Sequence, residues 1–267
     1  MILASASPLS LTLALGASVA YTVSAIGAAR LGASLARTAV WLGWLLHGAL
    51  LAWTMLGQDP HFGFAPALSV TAWLVAAVYA VEARLYPLMQ TRWALAGLGA
   101  VTVMLGVIFP GSPLQANASP WLPLHWALGI ASYGLFAAAV LHAWFMSRAE
   151  DRIRLAADPH SGMPLLTMER LIFRFIGVGF LLLTATLVLG FLFRTHLYGV
   201  STPFKWDHKA AFSVLSWLTF AVLLVGRARF GWRGRRAVRV LYIGSGLLLL
   251  AYAGSRFVIE VILGKSL

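Results

Sequence analysis

The sequence contains no cysteine, and few of its side chains carry a charge. Without cysteine, the chain cannot form a disulfide, bind a metal through a thiolate or carry out thiol redox chemistry. Only 10% of its 267 residues are charged, whereas a soluble domain carries about a quarter. These shortages exclude an ordinary soluble domain and any disulfide-stabilised scaffold.

Hydrophobic residues make up 60% of the chain, and its mean hydropathy is +0.84. Apolar stretches of about 20 residues, enough to cross about 30 Å of hydrocarbon, recur along the whole sequence. We therefore predict an all-α, polytopic transmembrane helical bundle of about eight spans, forming one integral membrane domain over residues 1–267. The predicted spans are 6–28, 38–57, 65–83, 93–110, 122–146, 171–194, 210–226 and 238–262.

Basic residues are concentrated in alternate loops. The loops after predicted spans 1, 3, 5 and 7 contain Arg30, Arg37, Arg84, Arg92, Arg148, Arg152, Arg154, Arg170, Arg227, Arg229, Arg233, Arg235 and Arg236. The loops after spans 2 and 4 contain none. The positive-inside rule then predicts a multi-pass protein of the bacterial inner membrane with both termini outside. The net charge of +12 reflects this orientation, so we expect the lipid bilayer as a partner and no nucleic acid.

The loop after span 6 departs from this charge bias. Its end reads "STPFKWDHKAAFSVLSW" (201–217), and the predicted topology places it on the periplasmic face. The polar and aromatic residues gathered there are Lys205, Trp206, Asp207, His208 and Lys209. The positive-inside rule predicts few basic residues on the periplasmic side. Lysines in this loop therefore indicate a functional site at the entrance to span 7.

Two histidines lie within or beside predicted spans. His47, in "WLGWLLHGALLAW", follows Arg37 by ten residues, which places it roughly 15 Å deep, near the middle of the bilayer. It is either an axial ligand of a haem iron or a histidine that is hydrogen-bonded to a neighbouring helix. His125 stands at the outer end of span 5. Its position alone favours an interfacial residue, but it shares the outer face with the loop at 201–217.

Other motifs add little chemistry. The sequence has no H-E-x-x-H, nucleophile elbow or P-loop, so we expect no independent catalytic activity. Glycine pairs in three spans predict close helix packing. These pairs are Gly97 and Gly99, Gly177 and Gly179, and Gly244 and Gly246.

Three segments resemble one family. "KWDHKAAFSVLSWLTF" resembles the Trp-rich signature of the cytochrome c assembly family, the haem-handling CcsA/CcmC/HemX-like membrane proteins. The signature residues here are Trp206, Asp207, His208, Lys209 and Trp217. "PLHWALGIASYGLFAAAVLH" resembles the family helix with an outward-facing histidine, His125, and a following tyrosine, Tyr133. "WLLHGALL" resembles the early transmembrane histidine of the family, His47.

The resemblance implies a haem-binding or haem-handling accessory in cytochrome c biogenesis. It implies haem b as the ligand, His125 and His47 as ligands of the haem iron, and cytochrome c biogenesis proteins or another membrane protein as partners. Trp206 and Trp217 would then offer aromatic surface to the macrocycle. Lys205 and Lys209 would pair with the haem propionates, and Asp207 and His208 belong to the same site.

The sequence also departs from the family pattern. No histidine follows His208, although full-length assembly proteins have two more, and "GVSTPFKWDHK" lacks the usual Trp-Gly-Trp run. His47 and His125 differ in predicted depth by roughly 15 Å, so we do not expect them to share an iron. The pattern resembles the HemX/YpjD-type branch.

Two alternatives remain open from the sequence. The first is a non-catalytic scaffold or regulator, for example of tetrapyrrole synthesis, that has lost haem ligation and uses the cytoplasmic loops 147–170 or 227–236. The second, which only the polytopic fold and His47 favour, is a small-solute transporter.

Overall fold

The protein is almost entirely helical over the residues that the structure, a computed structural model, describes. These are residues 7–27, 33–57, 61–85, 92–113, 121–154, 165–192, 208–254 and 257–258. The helices are α1 (Pro8–Gly27), α2 (Ala33–Leu56), α3 (Phe64–Leu85), α4 (Arg92–Ile108), α5 (Trp121–Arg154), α6 (Leu165–Leu192), α7 (His208–Phe230) and α8 (Gly234–Leu249). A π-helical segment, Leu250–Gly254, continues α8. The predicted all-α class is confirmed.

Most of these helices match membrane spans in length and composition. Six of the described helices are long and apolar enough to cross a membrane, and α3 and α4 contain shorter apolar stretches, Phe64–Val78 and Leu95–Ile108. The chain is therefore a multi-pass membrane protein. The position of both termini outside and the single membrane domain stay predictions.

The boundaries of α5 and α6 differ from the predicted ones. Residues 147–170 were predicted as a loop with room for a short amphipathic helix, but α5 extends to Arg154 and α6 begins at Leu165. With 34 residues, α5 is about 50 Å long and exceeds the hydrocarbon thickness of about 30 Å. Its charged last turns contain several good helix formers, among them Arg148, Ala149 and Glu150, so the helix continues beyond the apolar stretch from which the span was predicted.

Contacts divide the chain into two compact units. Unit 1 comprises Met1–Val81, Gln90–Ala116 and Arg256–Leu267, and unit 2 comprises Glu82–Met89 and Asn117–Ser255. In unit 1, α1 packs against α2 and α4 around the buried ring of Tyr21. The other core residues are small or aliphatic: Ala14, Ala17, Leu50, Ala96 and Val103. Small residues let the helices approach closely, as packing in a membrane requires.

Unit 1 also contains a short antiparallel strand pair. Strand β1 (His61–Phe62) pairs with β2 (Ser112–Pro113). Gly111 precedes β2 with φ of +86°, and a Cβ there would collide with the backbone of Phe62. Glycine is therefore needed at this position on both counts.

A stacked pair of phenylalanines lies at the centre of unit 2. The rings of Phe136 on α5 and Phe220 on α7 are parallel within 4°, with centroids 3.8 Å apart, and both are buried. Gly179 on α6 faces the first ring and Gly244 on α8 faces the second. The Ser216 hydroxyl donates to the backbone oxygen of Gly244 at 2.8 Å. One ring pair thus joins α5, α6, α7 and α8.

In each predicted glycine pair, one residue makes the close contact and the other does not. A Cβ would lie 2.7 Å from Tyr21 at Gly99, 3.2 Å from Phe136 at Gly179 and 2.9 Å from Phe220 at Gly244. The other three glycines, Gly97, Gly177 and Gly246, have nothing within 4 Å of that position. Residues i and i+2 lie on different faces of a helix, so the two glycines of a pair do not face the same neighbour. The prediction of close packing is confirmed for one glycine of every pair.

This asymmetry predicts different outcomes for two neighbouring substitutions. Gly244→Ala should lower the thermal unfolding temperature, because the new methyl group displaces the Phe220 ring, at a cost of about 1–3 kcal/mol. Gly246→Ala is the matched control and should not lower stability, because a Cβ there meets nothing within 4 Å and alanine favours the helix over glycine by up to about 1 kcal/mol. Unfolding followed by tryptophan fluorescence in detergent measures both. Equal effects of the two substitutions would contradict the packing described here.

The predicted orientation can be tested directly, because the chain has no cysteine of its own. Single cysteines are introduced as Thr202→Cys, before α7, and Asp158→Cys, between α5 and α6. A maleimide that cannot cross membranes should label the first in intact cells and the second only after lysis. The reverse pattern would show that the positive-inside assignment is inverted.

Candidate functional site

One end of unit 2 brings together residues from α5, α6, α7 and the π-helical segment. We call His125, Gly190, Lys209 and Tyr252 the His125 cluster. A Cβ at Gly190 would lie 3.2 Å from Cε1 of His125, so the missing side chain on α6 makes room for the imidazole. The Lys209 ammonium lies 5.3 Å from the centre of the Tyr252 ring. A cation, an imidazole and an aromatic face therefore occupy the same end of this unit.

The imidazole of His125 has an unusual hydrogen-bonding state. Its Nδ1 is buried and has no hydrogen-bond partner, although the side chain as a whole is half-buried. The Lys209 ammonium acts electrostatically on the ring, and the Thr186 backbone is within hydrogen-bonding reach of the imidazole. Most buried polar side-chain atoms are hydrogen-bonded. An unpaired imidazole nitrogen is a group that can bind a metal ion or accept a hydrogen bond from a ligand.

Tyr133 supports the site at the point where the helical register changes. Its hydroxyl donates to the backbone oxygen of Leu248 at 2.8 Å, two residues before the π-helical segment that contains Tyr252. The rings of Tyr133 and Tyr252 are 6.4 Å apart. Short π-helical segments occur frequently at functional sites. Tyr133 thus anchors the segment that presents Tyr252 to Lys209.

The predicted signature is only partly within the described residues. Lys205, Trp206 and Asp207 lie outside the described ranges. His208 is the first residue of α7 and is exposed, and Lys209 follows it. Of the predicted site residues that are described, the structure brings His125 and Lys209 together. The sequence carried no signal for Tyr252 or Gly190, which join the cluster through tertiary packing alone.

Trp217 lies deeper along α7 than the cluster does. It follows His208 by nine residues, about 14 Å along a helix. Its Nε1 donates to Oγ1 of Thr184 at 2.9 Å, and its ring stacks on Phe180 with centroids 5.4 Å apart. These contacts join α7 to α6. The predicted role of Trp217 as a platform for a macrocycle stays a prediction.

His47 lies in unit 1, and both of its ring nitrogens have partners. Its Nε2 is 2.7 Å from Oγ of Ser69 on α3, and its Nδ1 is 3.4 Å from the hydroxyl of Tyr21 on α1. The side chain is completely buried. Coordination of an iron by His47 would require one of these hydrogen bonds to break. The arrangement agrees with the interpretation of His47 as a hydrogen-bonded histidine, and its role as a ligand stays a prediction.

Two tryptophans hold α2 and α3 together beside His47. The rings of Trp44 and Trp73 are parallel within 6°, with centroids 4.7 Å apart. Each Nε1 donates to the backbone oxygen of the other residue, at 3.1 and 3.0 Å. Gly48 provides the space for the Trp73 ring. This reciprocal pairing fixes the helix that carries His47.

Within the described residues, no group of three or more histidine, aspartate or glutamate side chains is placed to hold a metal ion. A protein-only metal centre is therefore not part of the described structure. Any iron at the His125 cluster would bring most of its own ligands, as a porphyrin does.

The contact between Trp217 and Thr184 predicts a measurable coupling. Trp217→Phe and Thr184→Val should each destabilise the protein, because each removes the hydrogen bond between α7 and α6. The double variant should lose little more stability than either single variant. We expect a coupling of about 0.6–1.5 kcal/mol in a double-mutant cycle of thermal unfolding. Strictly additive losses would show that the bond contributes nothing.

Comparison with known proteins gives the family. The family model described as "Cytochrome C assembly protein" matches residues 31–263. "Inner membrane protein YpjD" of Escherichia coli (strain K12) is 31% identical over 167 residues, which cover 61% of this chain and 61% of that protein. The match thus spans less than two thirds of that relative. No solved structure matches the chain.

Two further relatives extend over more of the chain. A protein of Azospirillum brasilense, "Uncharacterized 28.8 kDa protein in nifR3-like 5'region", is 30% identical over 227 residues, with 81% of this chain and 82% of that protein covered. "Cytochrome c biogenesis protein CcsA" of Prochlorococcus marinus is 24% identical over 225 residues, covering 80% of this chain and 68% of that protein. The family match over most of the chain, with these relatives beside it, shows that this multi-pass membrane protein belongs to the cytochrome c assembly protein family.

Proposed function

We propose that this protein is a haem-handling accessory of cytochrome c biogenesis and that it binds haem at the His125 cluster. The observation that carries the proposal is the buried Nδ1 of His125, which has no hydrogen-bond partner. Membership of the assembly family and the relatives named as cytochrome c biogenesis proteins support it. In this protein, haem is the cargo, and the chain supplies the groups that hold it.

The residues of the cluster suit the chemistry of haem. An imidazole nitrogen is a common axial ligand of haem iron, and His125 has one that no protein group uses. The ammonium of Lys209 matches the carboxylate of a propionate. The Tyr252 ring beside Lys209 offers aromatic surface. Lys205, Trp206, Asp207 and His208 directly precede Lys209 in the sequence, and we assign them to the same site.

The haem would be held without covalent bonds to this chain. A c-type attachment needs cysteine thiols, and the chain has none. The proposed ligand is therefore haem b, and its attachment to an apocytochrome would require a second protein. We propose a partner among the cytochrome c biogenesis proteins of the inner membrane, with the site open to the periplasm.

The proposal predicts which histidine controls haem binding. The protein purified from haem-replete membranes should show a Soret band and sharp reduced α and β bands, and a pyridine haemochrome assay gives the haem content. His125→Ala should lower the affinity for haem about tenfold or more, because the ligand is lost. His47→Ala should retain haem while lowering the unfolding temperature, because Ser69 and Tyr21 lose their partner.

Two results would contradict the proposal. One is a wild-type protein that is free of haem and takes up none when haem is added. The other is a His125→Ala variant with the same haem content as the wild type. His47→Ala is the matched control, since it also replaces a helical histidine by alanine.

A second function is favoured by one observation. Both nitrogens of His47 are engaged by protein groups, as expected of a family member that keeps the fold without ligating haem there. The corresponding candidate is a non-catalytic scaffold or regulator. A haem-free protein in the spectroscopic experiment would favour this candidate.

A further inference from the structure

The connection between α7 and α8 is strongly basic. We call residues 227–239 the arginine turn. The segment contains no acidic residue. Its basic residues are all arginines: Arg227, Arg229, Arg233, Arg235, Arg236 and Arg239. The turn lies at the end of α7 opposite the His125 cluster, about 35 Å away along this helix of 23 residues.

Trp232 gives the arginine turn a defined shape. Its indole packs directly against Gly226, where a Cβ would collide with the ring, and its backbone N–H donates to the oxygen of Gly226 at 3.1 Å. Gly231 and Gly234 flank it with φ of +63° and +55°, a conformation that glycine adopts easily. The guanidinium of Arg236 lies 4.0 Å from the centre of the Trp232 ring.

The acidic residues nearby neutralise only part of this charge. Glu169 on α6 accepts a hydrogen bond from Nη1 of Arg227 at 2.7 Å, and Nε of Arg233 lies 3.9 Å away. Asp151 on α5 pairs with Arg235 at 3.3 Å, but both side chains are more than half exposed, so the pair contributes little. Glu169 thus serves mainly to hold Arg227 inside the bundle.

An excess of exposed positive charge remains around Trp232. Arg229, Arg236 and Arg239 are exposed and have no acidic partner within the described ranges. Arg170 and Arg174 on the adjacent α6 are also exposed. The positive-inside rule accounts for the sign of this charge, but it does not require a guanidinium stacked on a tryptophan that two glycines and Gly226 hold in place.

Apolar side chains lie directly beside these arginines. Phe230 is 74% exposed, and Val225 and Val222, on the preceding turns of α7, are 54% and 53% exposed. The surface therefore combines guanidinium groups with apolar side chains that continue along the same helix. A free phosphate ion would use only the first of these features, whereas a phospholipid would use both.

We propose that the arginine turn binds the headgroup of an anionic phospholipid. Guanidinium groups donate two parallel hydrogen bonds to phosphate oxygens, and basic sites at the ends of membrane helices bind anionic headgroups. Arg233, Arg236 and Arg239 hold the phosphate, Trp232 sits at the level of the headgroups, and Phe230 contacts the acyl chains. This site is independent of haem binding.

The test uses the full-length protein in a neutral detergent and native mass spectrometry. Phosphatidylglycerol and phosphatidylcholine are titrated separately onto three proteins: the wild type, a triple variant and a charge-matched control. The triple variant carries Arg233→Gln, Arg236→Gln and Arg239→Gln. The control carries Arg37→Gln, Arg84→Gln and Arg92→Gln. We expect the wild type and the control to bind phosphatidylglycerol more tightly than phosphatidylcholine. The triple variant should bind phosphatidylglycerol at least about tenfold more weakly.

Three results would overturn the proposal. These are equal affinity of the wild type for the two lipids, equal loss in the control variant, and displacement of the lipid by inorganic phosphate, which would indicate a site for soluble phosphate. If the triple variant does not fold, Arg236→Gln alone is used. It should weaken binding of phosphatidylglycerol about threefold or more, and unchanged binding would also overturn the proposal.

Discussion

The stacked rings of Phe136 and Phe220 hold unit 2 together, and the rest of that unit depends on them. Lipid tails are as apolar as the side chains between helices, so helix association in a membrane relies on close packing. Gly179 and Gly244 allow α6 and α8 to approach this ring pair. The same four helices, or the segment that continues α8, supply every member of the His125 cluster. The central packing therefore sets the positions of the residues that we assign to haem.

The second constraint is that polar groups inside the hydrocarbon need partners within the protein. His47 satisfies it completely, through Ser69 and Tyr21, and its helix is fixed further by Trp44 and Trp73. His125 does not, because its Nδ1 is buried without a hydrogen bond. This difference separates two histidines that the family resemblance implies alike as ligands of a haem iron. It favours a structural role for the first and a binding role for the second.

Sequence reasoning was strongest for properties that depend on local composition and weakest for contacts between distant segments. The apolar stretches predicted the helices, and His125 and Lys209, both predicted as site residues, lie at the same end of unit 2. The end of α5 was placed too early, because charged helix formers continue the helix beyond the membrane. Tyr252 and Gly190 reach the cluster, and Ser69 reaches His47, only when helices far apart in the chain pack together. No local pattern encodes these contacts.

The most direct test of the central claim is chemical rescue of the missing ligand. The haem content of His125→Gly is measured by pyridine haemochrome with and without added imidazole, alongside His47→Gly. We predict that His125→Gly loses haem and that added imidazole restores it, because the small molecule fills the space left by the side chain. His47→Gly should keep its haem in both conditions. Full haem content in His125→Gly without imidazole would contradict the assignment of His125 as the iron ligand.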